Sequence, residues 1–201
     1  MIIGMERQTY HHGDLKQALV SAGIKILKEE GVTALTLRSA ARAAGVSHSA
    51  PYAHFTDKQS LLAAISTRGF ITLQERLLAT SKQYSNNPGE LVTETGWTYI
   101  QFALEDPALF KLMFSGILEE EHSYPEFMAV VRHTFHHLVG VIETCQSAGA
   151  LPPGSSEELA VAVWSLVHGF VSLYLERQIP GQLLDKYQLK QLLLQSLRLI
   201  H

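Results

Sequence analysis

The chain has 201 residues, of which 46% are hydrophobic and 17% are charged, and its formal net charge is −3. This length and composition allow a full hydrophobic core in one large domain or two small ones, and they exclude a low-complexity or repeat protein. The single cysteine, Cys145, excludes an internal disulfide bond and suits a reducing compartment.

No segment of the sequence predicts export or insertion into a membrane. The first five residues, MIIGM, are too short for the apolar core of a signal peptide. The most apolar stretch, from Leu159 to Leu175, has 17 residues and is shorter than a membrane span. We therefore expect a soluble, cytoplasmic protein that has no membrane partner.

The charges are divided unevenly along the chain. Residues 1–80 contain nine Lys and Arg against six Asp and Glu, whereas residues 81–201 contain seven against thirteen. This asymmetry is typical of a small module that faces nucleic acid and is attached to an acidic body.

The first helix is expected after a flexible arm of residues 1–12, in which Arg7 can reach a groove or a phosphate. Asp14 is its predicted N-cap, and Gly31 is its predicted end. Leu15, Leu19, Ala22 and Ile26 form its apolar stripe.

Two short helices joined by a tight turn are predicted to follow. Thr36 is the N-cap of the first, Gly45 ends it, and Ser47 caps the second, whose first turn must contain Pro51. The apolar face of the first consists of Leu37, Ala40, Ala41 and Ala44. A capping box that begins at Thr56 predicts the start of the next, longer helix.

A turn of this length between two helices is the geometry that places a second helix in the major groove of DNA. His48, Ser49, Tyr52 and His54 can donate hydrogen bonds, and Lys58 lies at a helix N-terminus that attracts phosphate. The spacing is also compatible with an ordinary buried corner between two helices.

The remaining helices are predicted to form a larger body. The three helices described above form a head. The helix from Asp57 to about Thr80 is shared, because its first half packs against this head and its second half packs against the body. Breaks are expected at Asn87-Pro88, at Asp106-Pro107 and at LPPGSS. Between the last two breaks, a long amphipathic helix runs from Pro125 to Gly149.

Three histidines on this amphipathic helix allow alternative interpretations. His133 and His137 are four residues apart and could bind one metal ion from a single face. His136 lies opposite the apolar stripe, and the other two lie on its polar border. No Cys or carboxylate lies beside them at ligand spacing, so we interpret them as surface residues and predict no metal site; a role in a ligand pocket is the other alternative.

The last two helices carry more apolar surface than a core requires. The first, which follows Ser155 and runs to about Gln178, is apolar nearly all round, so we expect both of its sides to be buried. Its small residues Ala162, Ser165, Gly169 and Ser172 form a stripe that allows another helix to approach closely. In all, the sequence predicts an all-α fold of about nine helices.

The segment TLRSAARAAGVSHSAPYAHFTDKQSLLAAI resembles the DNA-binding segment of the tetracycline-repressor-like (TetR) family of bacterial transcriptional regulators. A second segment, WSLVHGF from Trp164 to Phe170, resembles the Trp-His-Gly signature of one C-terminal subfamily. One position departs from the pattern, because relatives with this Ala-Pro-Tyr block often have arginine where this chain has Ala53.

The resemblance implies two domains: a helix-turn-helix domain in residues 1–56, and a ligand-binding and dimerisation domain in residues 57–201. The predicted DNA-binding residues are Thr36, Arg38, Ser47, His48, Ser49, Tyr52, His54 and Lys58. The predicted ligand pocket consists of Trp97, Phe102, Met113, Phe114, Phe127, Trp164 and His168, each of which could instead be ordinary core. The predicted dimer interface consists of Ala162, Ser165, Gly169, Ser172, Leu189, Leu193 and Ser196.

The function implied is that of a homodimeric repressor that binds a palindromic double-stranded operator and is released by a small-molecule inducer. A helical adaptor for other proteins, with a vestigial DNA-binding head, is the alternative. An enzyme is disfavoured, because the sequence has no glycine-rich phosphate loop, no G-x-S-x-G elbow and no metal-ligand set. We expect no cofactor and no catalytic residue.

Overall fold

The computed structural model describes residues 12–118, 121–180 and 186–197. These residues form α1 (His12–Glu30), α2 (Leu37–Ala43), α3 (Lys58–Gln83), α4 (Pro88–Glu105), α5 (Pro107–Met113), α6 (Pro125–Ser147), α7 (Ser156–Leu175) and α8 (Lys186–Leu197). Two 3₁₀ helices, Ala50–Ala53 and Glu121–Ser123, complete the described part of the chain, which contains no strand. The predicted all-α fold is confirmed.

The first two helices begin and end largely where the local signals predict. α1 begins at His12, so Asp14 lies in its first turn rather than at its N-cap, and the predicted arm with Arg7 falls outside the described residues. Thr36 caps α2 as predicted, because its hydroxyl accepts a hydrogen bond from the Ser39 amide at 3.0 Å. Gly45 follows α2 with a φ of +69°, a conformation that only glycine adopts at low cost.

The predicted second helix of the helix-turn-helix is the 3₁₀ helix Ala50–Ala53. Its N-cap is Ser49 rather than Ser47, and the Ala50 amide donates to the Ser47 carbonyl at 3.0 Å. Because Pro51 has no amide hydrogen, the segment cannot form a continuous α-helical ladder through this position. The short helix is therefore held mainly by bonds between residues three apart.

The N-cap of α3 is Asp57, not the predicted Thr56. The Asp57 carboxylate accepts a hydrogen bond from the Ser60 amide at 2.8 Å, and the Ser60 hydroxyl accepts one from the Asp57 amide at 3.2 Å. A carboxylate is a stronger acceptor than a hydroxyl and is further stabilised by the helix dipole, so Asp57 takes the position. The same amide hydrogen bond lowers the pKa of Asp57 below its usual range.

α3 is the shared element of the fold. Ile65 packs in the head, where a Cβ on Gly23 of α1 would lie 2.6 Å from its methyl group. Leu73 and Leu77, farther along α3, are buried in the body. Between them, Gly69 allows close packing on α5, because a Cβ there would lie 2.5 Å from the Met113 sulfur.

Ion pairs also join the head to the body. Lys28, near the end of α1, lies 2.8 Å from the Asp106 carboxylate, whose side chain is only 12% exposed. Asp106 caps α5 as predicted, by accepting from the Leu109 amide at 3.2 Å. A second pair connects Lys16 of α1 to Glu126 of α6 at 3.7 Å.

In the body, α4 and α6 pack against α3 and against α7. The expectation that α7 is buried on both sides is wrong for the single chain, in which four of its residues are buried: Ala160, Val163, Val167 and Val171. The helix also ends at Leu175, before the predicted Gln178. At 20 residues it is longer than the apolar stretch counted from the sequence and, by length and composition alone, could cross a membrane.

Candidate nucleic-acid interface and ligand cavity

Most of the residues predicted to contact DNA are exposed to solvent. Six of them are exposed, namely Thr36, Arg38, Ser47, His48, Ser49 and Tyr52, whereas His54 and Lys58 are half-buried. Tyr52 is 57% exposed, which is unusual for an aromatic side chain and leaves its phenol free to reach a partner. Ala53, at the end of the 3₁₀ helix, is exposed on the same segment.

Four of these residues meet around one surface depression. Thr36, Arg38, Tyr52 and Lys58 line it, together with Leu37, Thr56 and Asp57. It combines two cations, a phenol and two hydroxyls with one carboxylate, Asp57, which accepts from the Ser60 amide at the N-terminus of α3. The cations and hydroxyls are donors suited to a phosphate.

Lys58 also has a structural role that the sequence did not indicate. Its ammonium group donates a hydrogen bond at 2.8 Å to the carbonyl of Val32, in the loop that follows α1. One of its three N–H groups is thus used to hold the head together, and two remain for a partner outside the protein.

The body contains a cavity of about 590 Å³. Helices α3 to α7 contribute to its wall, and its described residues are mostly apolar: Phe70, Leu73, Leu77, Gly96, Tyr99, Met113, Phe114, Phe127, Met128, Val131, Phe135, Leu138, Val161, Val163, Trp164 and Val167. Thr95, Arg132, Thr134 and His136 supply polar groups. A cavity of this size and character can hold a drug-sized apolar molecule.

Four of the seven predicted pocket residues line this cavity: Met113, Phe114, Phe127 and Trp164. Trp97 does not, because it lies on the side of α4 that faces α8, with Lys190 5.7 Å from the centre of its ring. Phe102 does not line it either, and the Arg76 guanidinium carbon lies 5.6 Å from the centre of its ring.

His168 is the third predicted residue that does not line the cavity. Its ring packs against Phe114 with a centroid distance of 4.8 Å, and its Nδ1 lies 2.7 Å from the phenol oxygen of Tyr99. Trp164 donates to the same oxygen at 3.4 Å. The histidine thus has a protein partner, Tyr99.

Two family models match the chain. One, for bacterial regulatory proteins of the tetR family, matches residues 19–65, and the other, for the tetracycline repressor-like C-terminal domain, matches residues 92–197. The second alone spans more than half of the sequence. The chain belongs to the TetR family. TetR-family proteins are soluble DNA-binding regulators and not enzymes, and the head and body described above are those of such a regulator.

Solved structures agree with this TetR assignment. A protein of unknown function from Rhodococcus sp. RHA1 is 28% identical, with 96% of this chain and 97% of that chain covered and a TM-score of 0.81. A tetR-family regulatory protein from Rhodococcus RHA1 is 22% identical, with 92% and 96% covered and a TM-score of 0.70. The fatty acid degradation regulator FadR from Bacillus halodurans is 14% identical, with 95% and 96% covered and a TM-score of 0.73. At such identities the last two show a common fold alone.

The residues predicted for a TetR dimer interface divide between two helices. On α7, Ala162 and Ser165 are exposed, and Gly169 and Ser172 are half-buried. A Cβ on Gly169 would meet no atom within 4 Å. Val161 and Leu173 of the same helix are 49% and 52% exposed, so α7 presents an extended apolar surface.

On α8, two of the residues predicted for the interface are buried within the single chain. Leu189 and Leu193 are 3% and 0% exposed, because the leucine stripe of α8 packs into the core of its own chain. A Cβ on Gly96 of α4 would lie 3.8 Å from Leu193. Ser196 is half-buried. Among the described side chains of α8, the exposed ones are Gln191 and Gln195.

The histidines of α6 do not form a cluster. His133 and His136 are exposed, whereas His137 is half-buried and its Nε2 lies 3.0 Å from the Ser81 hydroxyl. Burial lowers the pKa of His137. In the described part of the chain, no group of three metal-ligating side chains comes together.

Proposed function

We propose that this TetR-family protein is a cytoplasmic, homodimeric repressor that leaves a palindromic operator when a small molecule enters the body cavity. The observation that carries this proposal is the course of α3. Its N-terminus, with Lys58, borders the surface depression of the head, and Phe70, Leu73 and Leu77 of the same helix line the cavity.

The head supports operator binding through two kinds of contact. Arg38, Lys58 and Tyr52 converge on a volume in which a phosphate oxygen can be held, and such contacts position the protein without reading sequence. Ser47, His48 and Ser49 are exposed on the turn before the 3₁₀ helix, so their donors and acceptors are free to contact base edges.

The exposed surface of α7 supports a dimer. The side chains of Ala162, Ser165 and Gly169 are small enough for a second helix to approach closely. Leu173 lies beside them and is 52% exposed. An apolar helix surface of this length is rarely left uncovered in a soluble protein. A two-fold dimer through α7 would present two heads to two half-sites, as a palindromic operator requires.

In this proposal, α3 couples ligand binding in the body to release of the operator by the head. A ligand that binds more tightly to one conformation of the body shifts the population toward it, by no more than its difference in affinity for the two conformations. Because α3 is one continuous helix and packs closely on α5 at Gly69, a change at the cavity wall would be transmitted to the head. The two heads would no longer match the spacing of the half-sites.

A protein adaptor that no longer binds DNA is the second candidate, and the acidic body favours it. The two functions differ in their response to salt, since phosphate contacts release counterions and make DNA affinity fall as salt rises. Selection of bound duplexes from random DNA, followed by titration in increasing salt, tests the proposal. Enrichment of a repeated half-site supports a repressor, and no enrichment supports the adaptor.

A further inference from the structure

Three polar groups in the wall of the cavity already use their hydrogens within the protein. The Thr95 hydroxyl donates to the Leu91 carbonyl at 2.7 Å, and the Thr134 hydroxyl donates to the Val130 carbonyl at 2.8 Å. The Tyr99 phenol is hydrogen-bonded to His168 and Trp164. These three groups offer no free donor, so a carbonyl or carboxylate placed beside them would lose its hydrogen bonds to water without replacement. An apolar ligand body suits this part of the wall best.

Arg132 differs from these wall residues. It lines the cavity but is exposed, and it makes no hydrogen bond or ion pair with any described residue. Met128, Arg132 and His136 are spaced four apart on α6, so they stand in one row along the opening. A guanidinium group keeps its charge at every physiological pH and can hold a carboxylate through two hydrogen bonds.

The described lining contains no carboxylate to balance this charge. Beside Arg132, the described lining therefore favours an anionic group of a ligand over a cationic one. The residues of α6 that line the cavity extend from Phe127 to Leu138, which is about 16 Å at 1.5 Å per residue. We call the part of the cavity along these residues the slot.

We infer that the ligand of this cavity is a hydrophobic monoanion, with an apolar body in the slot and a carboxylate or similar anionic group bound by Arg132. This inference rests on the proposed function for its biological consequence, the release of DNA. The binding itself depends only on the cavity wall and on Arg132.

Three probes with the same hydrocarbon chain isolate the contribution of the charged group: dodecanoate, 1-dodecanol and dodecyltrimethylammonium. Calorimetric titration of the full chain should give the tightest binding for dodecanoate. We expect 1-dodecanol to bind about fivefold more weakly, the effect of one partly exposed ion pair. Decanoate should bind about fifteenfold more weakly than dodecanoate, since it lacks two methylenes and each buried methylene contributes about a fourfold change.

Matched variants assign the preference to Arg132. Arg132→Gln should lower the affinity for dodecanoate about fivefold and leave that for 1-dodecanol unchanged, whereas Arg132→Lys should retain most of the preference. Lys82→Gln removes an exposed positive charge that does not line the cavity, and it should change neither affinity. Equal affinities of the parent for dodecanoate and 1-dodecanol, or an Arg132→Gln variant that binds dodecanoate like the parent, would overturn the inference.

A second readout separates this inference from the proposed repressor function. Operator binding by the same variants is measured by fluorescence anisotropy on a selected duplex, with and without dodecanoate. Normal operator binding with no preference for the anion contradicts the inference and leaves the repressor intact. Arg132-dependent binding of dodecanoate by a protein that binds no DNA supports the inference and contradicts the repressor.

Discussion

The phenol of Tyr99 and Nδ1 of His168 lie 2.7 Å apart and connect α4 to α7 across 69 residues of sequence. The indole of Trp164 can only donate, and it donates to the phenol oxygen. If His168 also donated, the buried phenol would have no acceptor for its own hydrogen, so Tyr99 donates to Nδ1. Burial raises the pKa of Tyr99 and lowers that of His168, and both side chains are neutral in the folded protein.

This hydrogen bond should contribute measurably to the free energy of unfolding. Tyr99→Phe and His168→Phe each remove one partner and leave the other unpaired, at a cost of about 1–3 kcal/mol. The double variant should lose less than the sum, with a coupling energy of about 1 kcal/mol. Urea denaturation of the four proteins measures this cycle. Additive losses would mean that the two groups do not interact.

Stability should also decrease on mild acidification because of His168. Its pKa is lowered in the folded state, so the unfolded chain binds the proton first as pH falls below the ordinary value of about 6.5. Protonation thus favours the unfolded state from that pH down to the lowered pKa. His168→Phe should lose less stability than the parent between pH 7 and pH 5.5, because it has no such proton to bind.

His133→Phe is the control for this measurement. His133 is exposed on α6, so this variant removes an imidazole without disturbing a buried contact, and the melting temperature of each protein is measured between pH 7 and pH 5.5. If His168→Phe and His133→Phe follow the parent equally, burial of His168 does not govern the acid response.

Gly169→Leu should separate the subunits without unfolding them. A side chain at Gly169 meets no atom of its own chain within 4 Å, and leucine favours the helix over glycine by about 1 kcal/mol. The added bulk would instead keep a partner helix away from α7. Sedimentation velocity should give a monomer whose circular dichroism is still helical.

Gly140→Leu is the matched control, since Gly140 is also a helical glycine with open space at its Cβ, but on α6. It should sediment like the parent. A dimeric Gly169→Leu protein would show that the subunits associate through another surface.

Substitutions at Arg38 and Lys58 should differ in their effects on protein stability, although both residues are predicted to contact phosphate. Arg38→Gln should reduce the slope of log affinity against log salt by about one without loss of stability, since Arg38 is exposed. Lys58→Ala should reduce the slope similarly but also cost about 1–2 kcal/mol of stability, because its bond to the Val32 carbonyl is lost. Anisotropy titrations and thermal melts of both variants distinguish the two roles, and an unchanged salt slope in either one rules out its phosphate contact.

The features that the sequence predicted correctly depend on neighbouring residues. The cap at Thr36, the turn at Gly45 and the break at Asp106-Pro107 each follow from groups within four residues of one another. The position of the α3 cap was missed by one residue, because two adjacent residues, Thr56 and Asp57, both qualify as caps. Local chemistry thus determines the order of the helices.

The features that the sequence did not predict depend on how the helices are rotated. α4 is apolar on several sides, so its pattern could not indicate that Tyr99 rather than Trp97 faces the cavity. The rotation of α8 was equally undetermined by its pattern. Leu189 and Leu193 were therefore assigned to an interface, whereas they are buried in the core of the single chain. Arg132 resembled any exposed surface cation until the cavity beside it was known.

Selection of duplexes from random DNA, followed by titration of the enriched sequence in increasing salt, tests the central claim most directly. A homodimeric TetR-family repressor should enrich two inverted half-sites about 10 base pairs apart, or a multiple of that spacing. Its log affinity should fall linearly with log salt. An unenriched pool, or an affinity that does not change with salt, would contradict the claim that this protein is a DNA-binding regulator.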